Sequence, residues 1–130
     1  MKNRVLVCVD DDASILQMLQ YQLEAVLDGS DCLSEFFDEP KEALQAIESM
    51  IHDGIDIAVI IVDYQMPQLN GNTFVRTLKA KYPALRFIML SGQANEIHVD
   101  ELLAEDLLQA FISKPWTADE LSKTLNPYIR

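Results

Sequence analysis

Cysteine is scarce in this chain: Cys8 and Cys32 are the only two among 130 residues. Cys8 lies inside an apolar run and Cys32 stands alone, so neither a disulfide framework nor a thiolate metal spacing is present. Both read as reduced packing residues, which suits a cytoplasmic protein. Long hydrophobic runs are missing as well. No stretch approaches the ~18 apolar residues of a bilayer-spanning helix. The start, Met1-Lys2-Asn3-Arg4, leads into only five apolar residues before Asp10, too few for a signal peptide. No membrane association is expected. Basic residues are few: 10 Lys and Arg stand against 21 Asp and Glu, a net charge of −11. So acidic a chain repels nucleic acid and suits a basic partner or divalent cations. Away from any site, the acidity also has the simpler use of keeping the chain in solution. Repeats, low-complexity tracts and linkers are missing too. The length suits one domain, residues 1–130, with one core.

What the chain does have is a set of short apolar runs, each stopped by polar residues. Six apolar residues, 57–62, end at Asp63, and Pro67 follows four residues later. A run of that length reads as a strand buried on both faces. Residues 5–9 repeat the pattern and end at Asp10-Asp11-Asp12. Residues 85–90 form another strand that closes on Ser91-Gly92. A short strand, 110–112, precedes Ser113-Lys114-Pro115-Trp116, and residues 32–37 form the remaining one.

Helical patterns lie between the runs. From Ala13 to about Leu27, Ile15, Leu16, Leu19, Leu23, Val26 and Leu27 form one apolar stripe, stopped by Asp28-Gly29-Ser30. Glu39-Pro40 opens the next helix and Gly54 ends it. Asn70-Gly71 is a turn signal before a helix lined by Phe74, Val75 and Leu78, which ends ahead of Pro83. Residues 97–108 are helical by composition but only loosely periodic. Thr117 and Glu120 form a capping box for the last helix, and Pro127 is expected to kink or end it. Five strands alternating with helices predict an α/β fold: a doubly wound, flavodoxin-like, five-stranded parallel sheet between helices. Right-handed crossovers favour the order 2-1-3-4-5, with a crevice between strands 1 and 3.

That topology gathers the polar residues at the strand C-termini onto one edge. Strand 1 brings Asp10, Asp11 and Asp12, strand 3 brings Asp63, strand 4 brings Ser91 and strand 5 brings Lys114. Carboxylates crowded in one crevice need a counter-charge, and a hard divalent cation with oxygen ligands supplies it: Mg²⁺, or Mn²⁺ in its place. Lys114 adds a second positive group and Ser91 a hydroxyl donor. The backbone carbonyl of Gln65 is a further candidate metal ligand. These are the parts for phosphoryl transfer to a carboxylate, with Asp63 as nucleophile. Each part alone also fits a bland role. The Asp run suits a solvated helix N-terminus, Asp63 a loop acid, Ser91 a solvated loop and Lys114 the surface. Their joint placement after four apolar strands favours the site.

With Val9-Asp10-Asp11-Asp12, Val62-Asp63-Tyr64-Gln65-Met66-Pro67, Asn70-Gly71, Leu90-Ser91-Gly92 and Ser113-Lys114-Pro115-Trp116 in this order, the chain resembles a receiver domain of bacterial two-component response regulators. The resemblance runs from Val5 to about Leu125. It implies that Asp63 is the phosphoacceptor, served by a sensor histidine kinase or histidine phosphotransfer protein. It implies that Asp11 binds the metal directly and Asp10 mainly through water, with Asp63 and the Gln65 carbonyl completing the set. Ser91 then matches the switch hydroxyl, Lys114 the lysine that pairs with the phosphoryl group, and Phe111 the switch aromatic. The output is a changed surface on helix 4, strand 5 and helix 5. A downstream protein, an attached output domain or a phosphorylation-dependent dimer would read that surface. Gln65 and Gln93 flank the site and position or block water.

Two departures stand out. Residues 104–108 lack the glycine often found there, so helix 4 is expected to end differently. Asp100, Glu101, Glu105 and Asp106 make the same face acidic, which disfavours the familiar dimer or calls for a basic partner. The Lys-Pro-Trp and Ser-Gly sequences are also similar to receivers joined to HD-GYP phosphodiesterases. Two other functions compete: a phosphorylation-independent interaction module on the same fold, and an aspartyl-phosphate hydrolase of the haloacid dehalogenase type. The hydrolase needs a second acid two residues after the first, where this chain has Gln65, and a cap domain.

Overall fold

A computed structural model of the chain describes residues 4–92 and 96–130, the side chains of 96–98 excepted. Gln93 and the first three residues therefore lie outside the described residues. The elements are β1 (Arg4–Val9), α1 (Ala13–Val26), β2 (Cys32–Phe37), α2 (Pro40–His52), β3 (Asp56–Asp63), α3 (Gly71–Lys81), β4 (Phe87–Ser91), α4 (Glu96–Ala104), β5 (Ala110–Ser113) and α5 (Ala118–Ile129). All strands pair in parallel, in the order β2-β1-β3-β4-β5. This is the doubly wound α/β fold that the alternation of runs predicts.

Side-chain alternation along the strands divides the core in two. Leu6, Cys8, Val59, Ile61, Ile88, Leu90 and Ile112 pack with Leu19 and Leu23 of α1 and Leu121 and Leu125 of α5. Val7, Val9, Ile60, Val62, Phe87 and Met89 pack with Ala43 and Ile47 of α2, Phe74 and Leu78 of α3, and Val99 and Leu102 of α4. Phe74 meets Phe87 edge to face, with ring centroids 6.5 Å apart. β1 and β3 slip by one residue: Val5 pairs with Ile57 but Leu6 with Val59, leaving Ala58 as a bulge. Both cysteines are buried and free, and burial pushes the Cys8 thiol far up, so it packs as an apolar residue. Among the described residues, no helix is long and apolar enough to cross a membrane.

Three boundaries differ from the sequence reading. β4 starts at Phe87 rather than Leu85. The Leu85 amide bonds back to the Tyr82 carbonyl at 3.1 Å, so Leu85 belongs to the turn around Pro83. α4 stops at Ala104 rather than Leu108. The Asp106 amide donates to Leu103 and the Leu107 amide to Leu102, a Schellman closure. Asp106 occupies its left-handed position with φ of 60°, where Gly54 serves the end of α2 with φ of 78°. The missing glycine is thus replaced by an aspartate that tolerates the same conformation.

α5 continues through Pro127 to Ile129. An internal proline costs about 3 kcal/mol, and several contacts offset it. Ile129 is buried, worth about 1.5–3 kcal/mol. Arg4 donates to the Tyr128 carbonyl at 2.9 Å, and Arg130 donates to the Val26 carbonyl of α1 at 2.7 Å. Tertiary anchoring therefore overrides the local signal. The Thr117–Glu120 capping box is formed in both directions at the other end of α5.

Asp106 holds a conformation that glycine adopts without strain, and its charge opposes the C-terminal dipole of α4. Asp106→Gly should raise stability by about 1 kcal/mol, read as a higher urea midpoint at unchanged slope.

Candidate functional site

Backbone bonds just past the strand ends set the site's frame. Asp10 donates its amide to the Phe37 carbonyl at 3.1 Å, Tyr64 to Leu90 at 3.0 Å and Lys114 to Ser91 at 2.9 Å. The residues that follow β1 and β5 are therefore held as firmly as the strands themselves. Asp12 is drawn away from the crevice: its side chain accepts from the Ser14 amide as the N-cap of α1. Asn70 caps α3 in the same way through the Thr73 amide.

Asp10, Asp11 and Asp63 converge, with one carboxylate oxygen from each lying within 4.8 Å of the others. Asp10 is fully buried and Asp63 is 4% exposed, while Asp11 is open to solvent. Lys114 Nζ donates to Asp63 Oδ1 at 2.8 Å and lies 3.5 Å from Asp10 Oδ2. Asp10 Oδ1 accepts from the Asp12 amide at 2.9 Å. Asp10 Oδ2 is buried and has no hydrogen-bond partner among the described residues. Ser91 is buried and its hydroxyl donates to the Gly92 carbonyl at 2.9 Å rather than to Asp63. Gln65 is exposed on the loop after β3. Phe111 is half-buried and packs against the α2–α3–α4 side of the core, level with Met89. The Lys114–Pro115 peptide is cis.

Electrostatics follows from burial. Desolvation lifts the Asp10 carboxyl from its ordinary 3.8 to about 6; the Asp12 amide and Lys114 pull it down, and the charges of Asp63 and Asp11 push it up. Desolvation also raises Asp63, against the opposing hydrogen bond from Lys114. Lys114 itself rises despite burial, because Asp63 and Asp10 favour its charged form. Three carboxylates face one ammonium, so two negative charges remain uncompensated. An all-oxygen donor set, an orphaned buried carboxylate oxygen and a deficit of two charges together fit a hard divalent cation.

Gly71 carries a role that its sequence context disguised. Asn70-Gly71 reads as a turn, yet Gly71 is the first residue of α3 and needs space rather than an unusual φ. A Cβ there would fall 2.5 Å from the Asp63 carbonyl oxygen and 2.9 Å from the Tyr64 Cα. The Gly71 amide donates to the Tyr64 carbonyl at 2.7 Å. α3 thus begins in direct contact with the backbone that carries Asp63. The only signal in the sequence was a glycine directly after a helix-capping asparagine.

Comparison with known proteins bears on the whole chain. The family model described as the response regulator receiver domain matches residues 6–126. The alkaline phosphatase synthesis transcriptional regulatory protein PhoP of Bacillus subtilis is 26% identical over 98% of this chain and 49% of its own length. The chain spans about half the length, or less, of the curated relatives it matches. Among solved structures, a response regulator receiver domain protein of Clostridium thermocellum is 26% identical, with a TM-score of 0.80 over 96% of this chain and 93% of that one. The signal receiver domain of an HD domain-containing protein from Pseudomonas fluorescens is 25% identical, with a TM-score of 0.81 over 97% and 94%.

Gly71→Ala should destabilise the protein by about 2–3 kcal/mol, because a new methyl would press on the Asp63 carbonyl oxygen and Tyr64 Cα, backbone atoms that cannot rotate away, as well as on the Met89 side chain; thermal melting checks this. Folding raises the Asp10 pKa, so metal-free protein loses stability as pH climbs from about 4 to 6. Asp10→Asn keeps an acceptor for the Asp12 amide and removes that cost. In EDTA at pH 7.5 it should be more stable than wild type by about 2–3 kcal/mol. The gain should shrink as pH falls toward 4, as urea titrations at several pH values would register.

Proposed function

The chain belongs to the response regulator receiver domain family, matched over residues 6–126, and from that premise we propose that Asp63 is its phosphoacceptor in two-component signalling. The observation that carries the reading is the pairing of buried Asp63 with half-buried Lys114 at 2.8 Å, beside a buried Asp10 oxygen that lacks a hydrogen bond. An Asp63 carboxylate oxygen forms a bond to phosphorus while the P–N bond of a donor phosphohistidine breaks. The imidazole nitrogen leaves with the electron pair. Lys114 serves twice: its hydrogen bond opposes the desolvation that raises the Asp63 carboxyl, and its ammonium stabilises the charge on the transferred group. Asp10, Asp11, Asp63 and the Gln65 carbonyl would hold Mg²⁺, with Mn²⁺ as an alternative, and the bound ion supplies the positive charge that lets carboxylates and phosphoryl oxygens share the crevice.

The switch follows from added charge. A phosphoryl group brings three acceptor oxygens to Asp63. The Ser91 hydroxyl, now spent on the adjacent Gly92 carbonyl, turns to one of them. Its movement takes the loop after β4 with it, and Phe111 packs further inward. Phosphorylation thus biases a two-state equilibrium of the α4–β5–α5 surface. The donor is a sensor histidine kinase or phosphotransfer protein. The reader is a downstream protein, an attached output domain, an HD-type one among the candidates, or a second copy. The reading makes the chain a cytoplasmic signalling domain whose only chemistry is its own phosphorylation and dephosphorylation. The exposed Gln65, lacking any acid/base group, counts against the hydrolase alternative.

Incubation with acetyl phosphate and Mg²⁺ should add the mass of one phosphoryl group, and EDTA should prevent it. Asp63→Asn should add none while keeping the fold by circular dichroism. A wild-type protein that stays unlabelled where a known receiver labels would sink the proposal.

A further inference from the structure

Lys114 has to bring its ammonium to one spot, yet it sits at the end of an edge strand. On its N-terminal side the backbone is pinned, since the Lys114 amide donates to the Ser91 carbonyl at 2.9 Å. On its C-terminal side the ladder has ended. Pro115 has no amide hydrogen and is exposed. The next hold is Trp116, whose side chain is buried against the α1–α5 side of the core. Its indole Nε1 donates to Gln22 Oε1 of α1 at 2.8 Å. Thr117 then begins the α5 capping box. Lys114 is therefore suspended between a strand contact and an indole two residues on, and the indole's polar end is fixed by one amide on another helix.

A buried indole N–H calls for a hydrogen-bond partner, and the directional bond adds an orientation to what packing alone specifies. Gln22 is half-buried beside the fully buried Leu23, and it lines a cleft between α1 and the start of α5 with Tyr21, Ala25 and Ala118. No hydrogen bond joins it to Asp63, Lys114 or Ser91. Its amide nevertheless ends a short chain of contacts that runs from α1 through Trp116 to the backbone of Lys114. We infer that Gln22 is a positioning residue for phosphoryl transfer, orienting Lys114 through the indole of Trp116. The inference rests on the phosphoacceptor reading of Asp63.

The test compares rate constants for labelling by acetyl phosphate with Mg²⁺. Gln22→Leu removes the acceptor and keeps a side chain of similar length over the indole. It should label about fivefold more slowly, the scale of one lost hydrogen bond. Gln22→Glu keeps an acceptor oxygen and should label within about twofold of wild type. Trp116→Phe deletes the donor by another route and should match Gln22→Leu, which also covers the case where Gln22→Leu folds poorly. In a Lys114→Ala background, Gln22→Leu should cause no further loss, because its effect passes through the lysine. Binding of beryllofluoride with Mg²⁺, followed by fluorine NMR, should weaken in Gln22→Leu in step with the rate. Gln22→Leu and Trp116→Phe labelling at the wild-type rate would overturn the inference while leaving Asp63 as acceptor. An equal loss with and without Lys114 would overturn it too, since that marks a general structural effect. Failure of the wild type to label removes the parent reading itself.

Discussion

Repulsion among Asp10, Asp11 and Asp63, only partly relieved by Lys114, is the constraint on which this molecule turns. Folding has buried two carboxylates at the mouth of a parallel sheet and left one of their oxygens without a hydrogen bond. No structural economy explains that choice: an apolar residue at position 10 would pack at no electrostatic cost. The penalty is tolerable because the surrounding sheet is over-determined. Six-residue pairings on both sides of β1 and a β3 buried from Ile57 onward hold the strand ends where side-chain electrostatics alone would drive them apart. Stability is spent at one edge, and what it leaves is an acidic crevice that fits a hard divalent cation.

Much of this was legible in the chain because buried parallel strands write themselves as unbroken apolar runs. The residue that breaks each run is then forced to one edge of the sheet. Asp10, Asp63, Ser91 and Lys114 could be placed together for that reason, before any coordinates. What was not legible has physical causes. Leu85 is apolar but lies in a turn, so hydrophobicity could not date the start of β4. Asp106 does a glycine's work at the end of α4, which composition alone cannot announce. Pro127 stays helical because Arg4 and Arg130, more than 100 residues apart in sequence, clasp the ends of α5 and α1. Gly71 was visible as a letter but misread, since its use is a close approach of two backbones and not a turn.

The end of α4 is linked to the helix that begins beside Asp63. Arg76 of α3 reaches Glu105 at the end of α4, an exposed pair that contributes little to stability. It still ties the one helix whose terminus is strained to the helix that begins against Asp63.

The bulge at Ala58 has a meaning that belongs to phase rather than packing. Successive residues of a strand point to opposite faces, so every strand keeps a parity from one end to the other. Ala58 and Val59 both face the α1–α5 layer, and the count resets between them. From there on, Val62 matches Val9 and Asp63 falls in step with Asp10. Lys114, two beyond Ile112, keeps the same beat, whereas Ser91 is out of phase by one. Had the rhythm run unbroken from Ile57, Asp63 would emerge on the opposite face of the sheet from its acidic neighbour and its lysine. An alanine at the far end of β3 thus decides on which face of the sheet Asp63 falls in step with Asp10 and Lys114.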